Sequence, residues 1–541
     1  MKSFVRTLST KYQQNAVALA IAGGILLVLP GCLPALRPPL PAQSVPQNFF
    51  LPQNFQGATG SENSSQIPID EFFKDPKLTS LVDQALVGNQ QLKILAEDIQ
   101  IANNEILRRK GTYLPFVSLG AGASFRKLSD YTLEGSDTYS NFLLDQPFTT
   151  FPNPLGNFLL PVADVSWQID IWRQLRNARD AQALRFLGTT DGRNYVVTRL
   201  AAEIAQNYYG LMALDKRLEN LDSVIALQEQ SLEIAKARKE AAQDTELAVQ
   251  RFQAEVRKNQ SEKLIVRQQI IETENRINFL AGRFPQGVER NSAAFFDLLL
   301  PMLRVGVPAQ LLQNRPDIRQ AERELDAAGL DVRVARANFF PKLVLTAGVG
   351  YEAFNTKYLF LTPQALLYNV AGGLVAPLVN RLAIKADYMN ANARQLQALY
   401  DYQRVILNAF TEVVNRVSKV QNYSNSIALK RQQLRALEIS VDVANNLFQL
   451  AQVEYIDVLF AQRDLLEGRR VLIDTKQEQL SAIVNAYQAL GGGWQAGARG
   501  PASPAVGAPP PPPKVEVLPP PPAAEAMPPP PKADAPLPPP N

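Results

Sequence analysis

Two stretches of equal length, residues 162–284 and 378–500, contain none of the chain's 40 prolines. Proline removes a backbone hydrogen-bond donor and interrupts helices, so its absence over such distances permits helices far longer than those of an ordinary domain. Because the rest of the chain is rich in proline, the two stretches predict that very long helices dominate the fold.

Apolar residues inside these stretches recur at coiled-coil spacing, as at Leu218, Leu221, Ile225 and Leu232. The pattern predicts two helical hairpins. Their arms are expected at 172–240 with 247–280, and at 379–450 with 456–490. A helix of about 65 residues rises 1.5 Å per residue and therefore spans about 100 Å.

The chain also contains an internal tandem duplication. The segment ARANFFPKLVLTAGVGY aligns with KGTYLPFVSLGAGASF, which places Pro341 on Pro115. Further along, VAGGLVAPLVNRLAIKAD from Val370 aligns with VADVSWQIDIWRQLRNAR from Val162. A repeat of this length indicates duplicated half-domains, not a solenoid of short period.

A two-residue alternation follows each of the two aligned prolines and predicts a β-strand in each copy. The apolar positions are Val117, Leu119, Ala121, Ala123 and Phe125 in the first copy and Leu343, Leu345, Ala347, Val349 and Tyr351 in the second. Returning strands are expected near 159–170 and 367–378, after loops at 127–158 and 352–366. The pattern is typical of membrane β-barrel strands, but a soluble sheet with one solvated face has it too, and the periodicity leaves both open.

A helix is expected before each strand, over 72–113 in the first copy and 305–338 in the second. Apolar residues recur there at helical spacing, and each segment ends at a proline. Each copy is therefore predicted to contain a helix, a pair of strands and a long helical hairpin, in that order.

Composition excludes several classes of function. The 55 basic and 51 acidic residues give a net charge of +4, which is no signature of nucleic-acid binding. The chain has no histidine and one cysteine, so the commonest acid–base group and the usual metal ligands are missing. With no glycine-rich phosphate loop and no convincing carboxylate pair, we expect neither an enzyme nor a bound metal or cofactor.

The single cysteine follows a secretion signal. Basic residues precede an apolar run from Ala16 to Leu29, and Leu29-Pro30-Gly31-Cys32 follows. This sequence resembles a bacterial lipobox, which implies cleavage before Cys32 and lipidation of its thiol, with palmitate among the expected acyl groups. The alternative is an incidental cysteine after an ordinary signal.

Both ends of the mature chain are predicted to be irregular. Residues 33–69 are rich in Pro, Gln, Asn and Ser, and 501–541 carry 19 of the 40 prolines, so a tether and a polyproline II tail are expected. We expect the tail to be an unbound spacer, and the alternatives are a tether toward the cell wall or a ligand for an aromatic-lined groove on a partner. The predicted division is a signal peptide at 1–31, a lipidated tether at 32–70, repeats at 71–285 and 305–494, and a disordered tail at 495–541.

The predicted order of elements, repeated twice, resembles the outer-membrane efflux protein family. These are the TolC-like channel tunnels, and the chain is similar to their NodT-type lipoprotein branch among drug-efflux outer-membrane factors. The segment VPAQLLQNRPDIRQAERELDAAGLDVRVARANFFPKL from Val307 follows the family signature, EYIDVLFAQRDLL from Glu454 is similar to its last long helix, and YQALGGGW from Tyr487 matches its closing motif.

This resemblance implies an α+β membrane protein. Four strands per chain cannot close a barrel, and an open sheet edge in lipid leaves backbone groups unpaired at several kcal/mol each. A trimeric 12-stranded β-barrel, continuous with a long α-helical coiled-coil periplasmic tunnel, removes those edges. The internal tandem duplication makes such a trimer quasi-sixfold.

The resemblance also implies a periplasmic gate at Ile456, Phe460 and Arg463, which follow one another at single helical turns. The family often has a carboxylate where Phe460 stands, so an apolar constriction is expected here, with Asp457 or Asp464 as possible partners of Arg463. The alternative is that Ile456 and Phe460 are coiled-coil core. Contacts with an adaptor are expected at the hairpin tips Ala242, Gln243, Asp244, Ala451, Gln452 and Val453, which lack the family's usual glycine.

The expected function is an outer-membrane channel of a tripartite efflux system, which passively conducts drugs or other small molecules. Its expected partners are two further copies of itself, a periplasmic membrane-fusion adaptor, an inner-membrane pump of the RND type and outer-membrane lipid. An exit duct for type I protein secretion is one alternative. A structural coiled-coil envelope lipoprotein without a pore is another, although the repeated alternating strands argue against it.

Overall fold

The structure is a computed structural model, and it describes most of the chain between Pro34 and Trp494. The described residues are 34–38, 46, 48–49, 63–127, 129, 155–298, 300–301, 303–377, 381–450 and 452–494. The predicted signal peptide, Cys32, the tip residue Ala451 and the proline-rich tail lie outside them.

The two copies have the same order of elements. The first copy consists of α1 (Ile69–Phe73), α2 (Pro76–Gly88), α3 (Gln90–Thr112), β1 (Phe116–Arg126), β2 (Leu155–Ile169), α4 (Gln174–Glu240) and α5 (Glu246–Leu280). The second consists of α6 (Ala309–Asn314), α7 (Pro316–Ala337), β3 (Lys342–Ala353), β4 (Leu366–Val375), α8 (Leu382–Gln449) and α9 (Tyr455–Ala489). The helical hairpins and all four strands are where the sequence predicts them, within a few residues, except that β2 begins four residues early.

The single helices expected before each strand are wrong, because each is broken by a capping residue. Asp75 accepts hydrogen bonds from the backbone of Lys77 and Leu78 and starts α2. Asn89 takes an extended conformation, caps α3 by accepting from Leu92, and donates to the Leu280 carbonyl. In the second copy Arg315 is extended, as expected for a residue before proline.

The predicted tether is docked where the structure describes it. Asn63 pairs with Val305 in an isolated β-bridge, and the Ser64 backbone donates to the Arg304 carbonyl at 2.9 Å. Residues 64–66 form a short 3-10 helix whose first two residues are buried. The end of this segment therefore belongs to the folded body.

The four strands form one antiparallel sheet in the order β1-β2-β3-β4. Every residue of β1 and of β4 is exposed, so neither face of these outer strands is covered by another part of the chain. The sheet therefore has two bare faces and two open edges, and one chain does not complete it.

The helices form a ribbon that is also open. In the half nearer the sheet the packing order is α3, α4, α7, α8, and in the other half it is α5, α4, α9, α8. Both edges carry exposed apolar side chains, namely Ile94, Ile101 and Leu107 on α3, Leu264 and Ile271 on α5, and Met389, Leu407, Leu429 and Ile439 on α8. None of the described helices is both long and apolar enough to cross a membrane.

The largest hydrophobic core lies midway along the long helices. Tyr208 and Tyr209 are fully buried there, and the rings of Phe72 and Tyr487 stack at 4.0 Å. The glycines of the closing motif allow close packing at this level. Gly491 has a φ of +90°, and a Cβ on it would lie 2.7 Å from the Asn314 carbonyl oxygen.

Lys476 on α9 is 5 % exposed, and its ammonium donates to the Leu298 carbonyl at 2.8 Å. Burial lowers the pKa of Lys476 to about 8, whereas an exposed lysine titrates near 10.4. Between these two values the unfolded chain binds more protons than the folded chain, so the stability of the fold rises with pH. The destabilising effect of the buried charge is fully present below pH 8 and is relieved as the pH rises toward 10.

We therefore expect the wild type to gain about 1 kcal/mol of stability between pH 7 and pH 9 relative to Lys476→Met, which cannot titrate. Thermal unfolding of both proteins at the two pH values measures this difference. Parallel pH dependences of the two unfolding temperatures would show that Lys476 has an ordinary pKa.

Candidate gate and hairpin tips

The predicted gate residues lie in the first three turns of α9. Helix α9 begins with a capping box, in which the side chains of Glu454 and Asp457 each accept the other residue's backbone N–H. Ile456 is half-buried, and Arg463 is exposed. Phe460 is 49 % exposed, which is unusual for a phenylalanine in a coiled coil.

The opposite face of α9 forms the core of the coiled coil. Leu459 packs with Leu232 and Phe252, and Ala461 and Leu465 pack with Val441. Phe460 is in neither cluster. Within one chain, then, Phe460 is not a core residue, and its ring is free to face the lumen or another copy.

Phe460 and Arg463 contact each other. The Arg463 guanidinium carbon lies 5.3 Å from the centre of the Phe460 ring, a cation–π distance. Among the described residues no carboxylate lies within ion-pair distance of Arg463, and neither Asp457 nor Asp464 pairs with it. Asp457 is used as a helix cap, and Asp464 is exposed.

The first hairpin tip is a tight turn between α4 and α5. Ala242 has a φ of +55°, a conformation that favours glycine, so this alanine is strained. The Gln243 backbone donates to the Arg238 carbonyl at 2.8 Å, and the Asp244 carboxylate accepts from the Thr245 backbone at 2.9 Å. The turn is fixed by its own backbone and leaves the Gln243 side chain exposed.

The second tip joins α8 to α9, and Arg238 connects it to the first. Arg238 donates to the Phe448 carbonyl at 2.8 Å and lies over the Phe448 ring at 4.6 Å. Gln452 closes the turn by donating its backbone N–H to the Leu447 carbonyl, and Val453 is half-buried beside it. Arg238 was not identified as a contact residue from the sequence. A basic residue in the last helical turn was the available signal, but it does not reveal a contact with the other hairpin.

A polar layer separates α4 from α9 just above the gate, and the sequence did not predict it. The Gln462 amide donates to the Ser231 hydroxyl at 2.9 Å, and both residues are buried. The Asn220 amide reaches the Leu466 carbonyl at 3.4 Å. The side-chain carbonyl oxygens of Gln462 and Asn220 have no hydrogen-bond partner. Contacts of this kind stabilise an interface less than apolar packing does.

A groove of about 990 Å³ lies between α4, α7 and α8, on the sheet side of the molecule. Four arginines and four carboxylates line it, so its formal charges balance. Arg185 pairs there with Glu324 at 3.1 Å and with Asp331 at 2.6 Å. In the described part of the chain, no three histidine, cysteine or carboxylate side chains are grouped so that they could hold a metal ion.

Comparison with known proteins gives one consistent family. The family described as outer membrane efflux protein matches residues 81–283 and 307–492. The pyoverdine export outer membrane protein OpmQ of Pseudomonas putida is 30% identical over 449 residues, which cover 82% of this chain and 92% of that protein. The cation efflux system protein CusC of Escherichia coli K12 is 26% identical over 472 residues, 87% of this chain and 98% of that one.

Solved structures agree in fold. The outer-membrane channel OprN superposes with a TM-score of 0.74 at 22% identity, covering 86% of this chain and 99% of its own. A structure of CusC gives a TM-score of 0.71 at 24% identity, covering 85% and 100%.

Proposed function

The chain belongs to the outer membrane efflux protein family, and from that premise we propose that it is the exit duct for small molecules that an inner-membrane pump of the RND type delivers. The protein is an outer-membrane efflux channel and not an enzyme, and it works as a homotrimer with a periplasmic adaptor and an inner-membrane pump. The observation that supports the proposal best is the open ribbon, whose two edges carry exposed apolar side chains along their length.

Trimer formation explains why both edges are apolar. The α3 and α5 edge of one copy meets the α8 edge of the next, which buries the exposed stripes and closes the tunnel. The edges of β1 and β4 meet in the same way, and twelve strands then leave no unpaired edge in the lipid. Each copy carries both of the surfaces that meet in this contact. The same contact therefore repeats from copy to copy and closes into a ring.

The names of the relatives suggest that the duct does not select its cargo. Proteins similar to this chain are named for the efflux of cations, the export of pyoverdine and the efflux of solvent. Cargoes this different share no charge or shape that one set of lining residues would recognise. We therefore propose that the pump and adaptor select the transported molecule, whereas this chain only conducts it and closes the tunnel.

For closure we propose a ring of three Phe460 side chains, with Ile456 one turn nearer the tip. An apolar constriction blocks ions by excluding water. Arg463 and Asp464 are consecutive on α9 and so point about 100° apart, on opposite sides of the Phe460 face. In a ring of three copies these flanks meet, and Arg463 of one copy pairs with Asp464 or Asp457 of the next.

We also propose lipidation of Cys32. The first described residues, 34–38, lie against α8 close to the start of β3, so this segment lies near the membrane-facing end of the helical ribbon. Mass spectrometry of the purified N-terminus should find a chain that starts at Cys32 and carries acyl groups. A free thiol, or cleavage at another position, would contradict the assignment.

The adaptor should bind at the hairpin tips. We expect a photo-crosslinking amino acid at Gln243 to capture a periplasmic adaptor in cells, because this exposed side chain takes no part in fixing the turn. The same amino acid at Gln269 is the matched control, an exposed glutamine about 35 Å from the start of α5 at 1.5 Å per residue and on a different face from Leu264 and Ile271. Equal capture at both positions, or none at Gln243, would place the adaptor elsewhere.

Purification of the cross-linked complex also identifies the pump. Co-purification of an RND pump supports drug efflux, and co-purification of an ATP-driven exporter would favour type I protein secretion. The two outcomes differ in the protein recovered, so mass spectrometry of the complex decides between them.

A further inference from the structure

Residues 34–38, called here the N-terminal peptide, are hydrogen-bonded to an asparagine side chain on α8. The Arg37 backbone N–H donates to the Asn392 Oδ1 at 3.1 Å, and the Asn392 Nδ2 donates to the Arg37 carbonyl at 3.4 Å. The amide thus pairs with both backbone groups of one residue. Asn392 is only 6 % exposed.

An apolar cluster lies beside this amide. Leu36 packs against Phe339, Tyr388 and Ala391, and the rings of Phe339 and Tyr388 meet edge to face at 5.7 Å. Phe339 lies between the end of α7 and the start of β3 at Lys342. The peptide is therefore bound at the end of the helical ribbon that is nearest to the sheet.

The first copy lacks the asparagine at the aligned position. In the alignment that places Val370 on Val162, Asn392 corresponds to Leu184. A leucine side chain cannot pair with the backbone of a docked peptide. The duplicated fold thus has one peptide site per chain, and the quasi-sixfold trimer has three.

We propose that Asn392 and the adjoining cluster are a binding site for the chain's own N-terminal peptide, which fixes where the lipid anchor enters the membrane. Cys32 is four positions before Leu36, a reach of at most about 14 Å. The acyl groups are then held beside the β3–β4 hairpin of the same chain. The inference on the lipid depends on the proposed lipidation of Cys32, whereas the docking of residues 34–38 does not.

Recognition by Asn392 is independent of the side chain at residue 37, because the amide contacts only backbone atoms. A spin label at Arg37→Cys therefore reports docking without disturbing it. The chain has no cysteine besides Cys32, so in the lipidated protein the label attaches at this position alone.

In the full-length trimer we expect an immobilised label in the parent protein. Asn392→Ala removes two hydrogen bonds, each of which contributes about fivefold to an equilibrium, so the ratio of mobile to immobile label should rise at least about tenfold. Asn390→Ala, an exposed asparagine on the same helix, is the matched control and should change nothing. Pulsed dipolar distances between the three labels of one trimer should be narrow in the parent and broad in Asn392→Ala.

A label that is mobile in the parent, or equally immobile in Asn392→Ala, would overturn the proposal. Mass spectrometry of the same samples reports lipidation separately. If Cys32 proves unmodified, the proposed lipidation is wrong. The spin-label measurement repeated in a Cys32→Ser background then still tests the docking site. Narrow distances in Asn392→Ala would show that the anchor is positioned by something other than Asn392.

Discussion

Phe460→Ala is expected to raise the resting single-channel conductance of the trimer several-fold. In the proposed ring, three phenyl groups exclude water from the narrowest part of the tunnel, and removal of all three admits a continuous water column. The substitution removes no core contact within the chain, because Phe460 is half-exposed and belongs to no core cluster. Recording of single channels in planar bilayers measures the effect directly.

Phe279→Ala is a suitable control, since Phe279 is 69 % exposed and lies near the other end of its hairpin. Its conductance should equal that of the wild type. If Phe460→Ala and Ile456→Ala both conduct like the wild type, these residues are packing residues between copies and the constriction lies elsewhere.

Arg315→Ala is expected to destabilise the fold by about 3–5 kcal/mol, the usual cost of breaking a buried ion pair. Arg315 is 3 % exposed and joins three parts of the second copy. Its guanidinium pairs with Asp317 at 2.7 Å and Glu412 at 3.0 Å and donates to the Ala489 carbonyl at 2.9 Å. Removal of the guanidinium leaves these acceptors without their partner at the junction of α7, α8 and α9.

Arg333→Ala tests the same change at an exposed arginine of α7 and should cost less than about 1 kcal/mol. The unfolding temperatures and denaturant midpoints of the two variants and the wild type give the comparison. Equal stabilities would mean that Arg315 contributes little, despite its burial.

The long helices and the strands could be predicted because their signals are local and repeated. Proline-free stretches, coiled-coil spacing and two-residue alternation each extend over many residues, so an error at one position changes little. The helix breaks at Asn89 and Arg315 were missed because a single residue decides each of them: the Asn89 side chain caps α3, and Pro316 keeps Arg315 extended. Asn89 in particular is fixed by its bond to Leu280, 191 residues away.

The residues around the gate were predictable only in part. The family resemblance indicated Ile456, Phe460 and Arg463, and their helical spacing put them on one face. Arg238 and the Gln462–Ser231 contact connect two hairpins that are far apart in sequence, and no periodicity indicates which side chains meet there. The signature residue Arg315 was recognised by family likeness, and its physical role became clear from its three partners.

For the docked N-terminal peptide, too, the sequence predicted the general character of the segment but not the residues that it contacts. A segment rich in Pro, Gln, Asn and Ser predicts an irregular tether, and composition contains no information on where such a segment binds. The site is formed by Asn392 of α8 and the adjoining cluster around Phe339 and Tyr388, and the composition of the peptide does not reveal them.

A cryo-EM structure of the purified full-length protein in lipid nanodiscs tests the central claim most directly. We predict three copies, with α3 and α5 of each copy against α8 of the next, a closed barrel of twelve strands, and the narrowest point of the tunnel at the Phe460 rings. A different number of copies, a sheet with open edges, or a tunnel whose narrowest point lies away from Phe460 would contradict it.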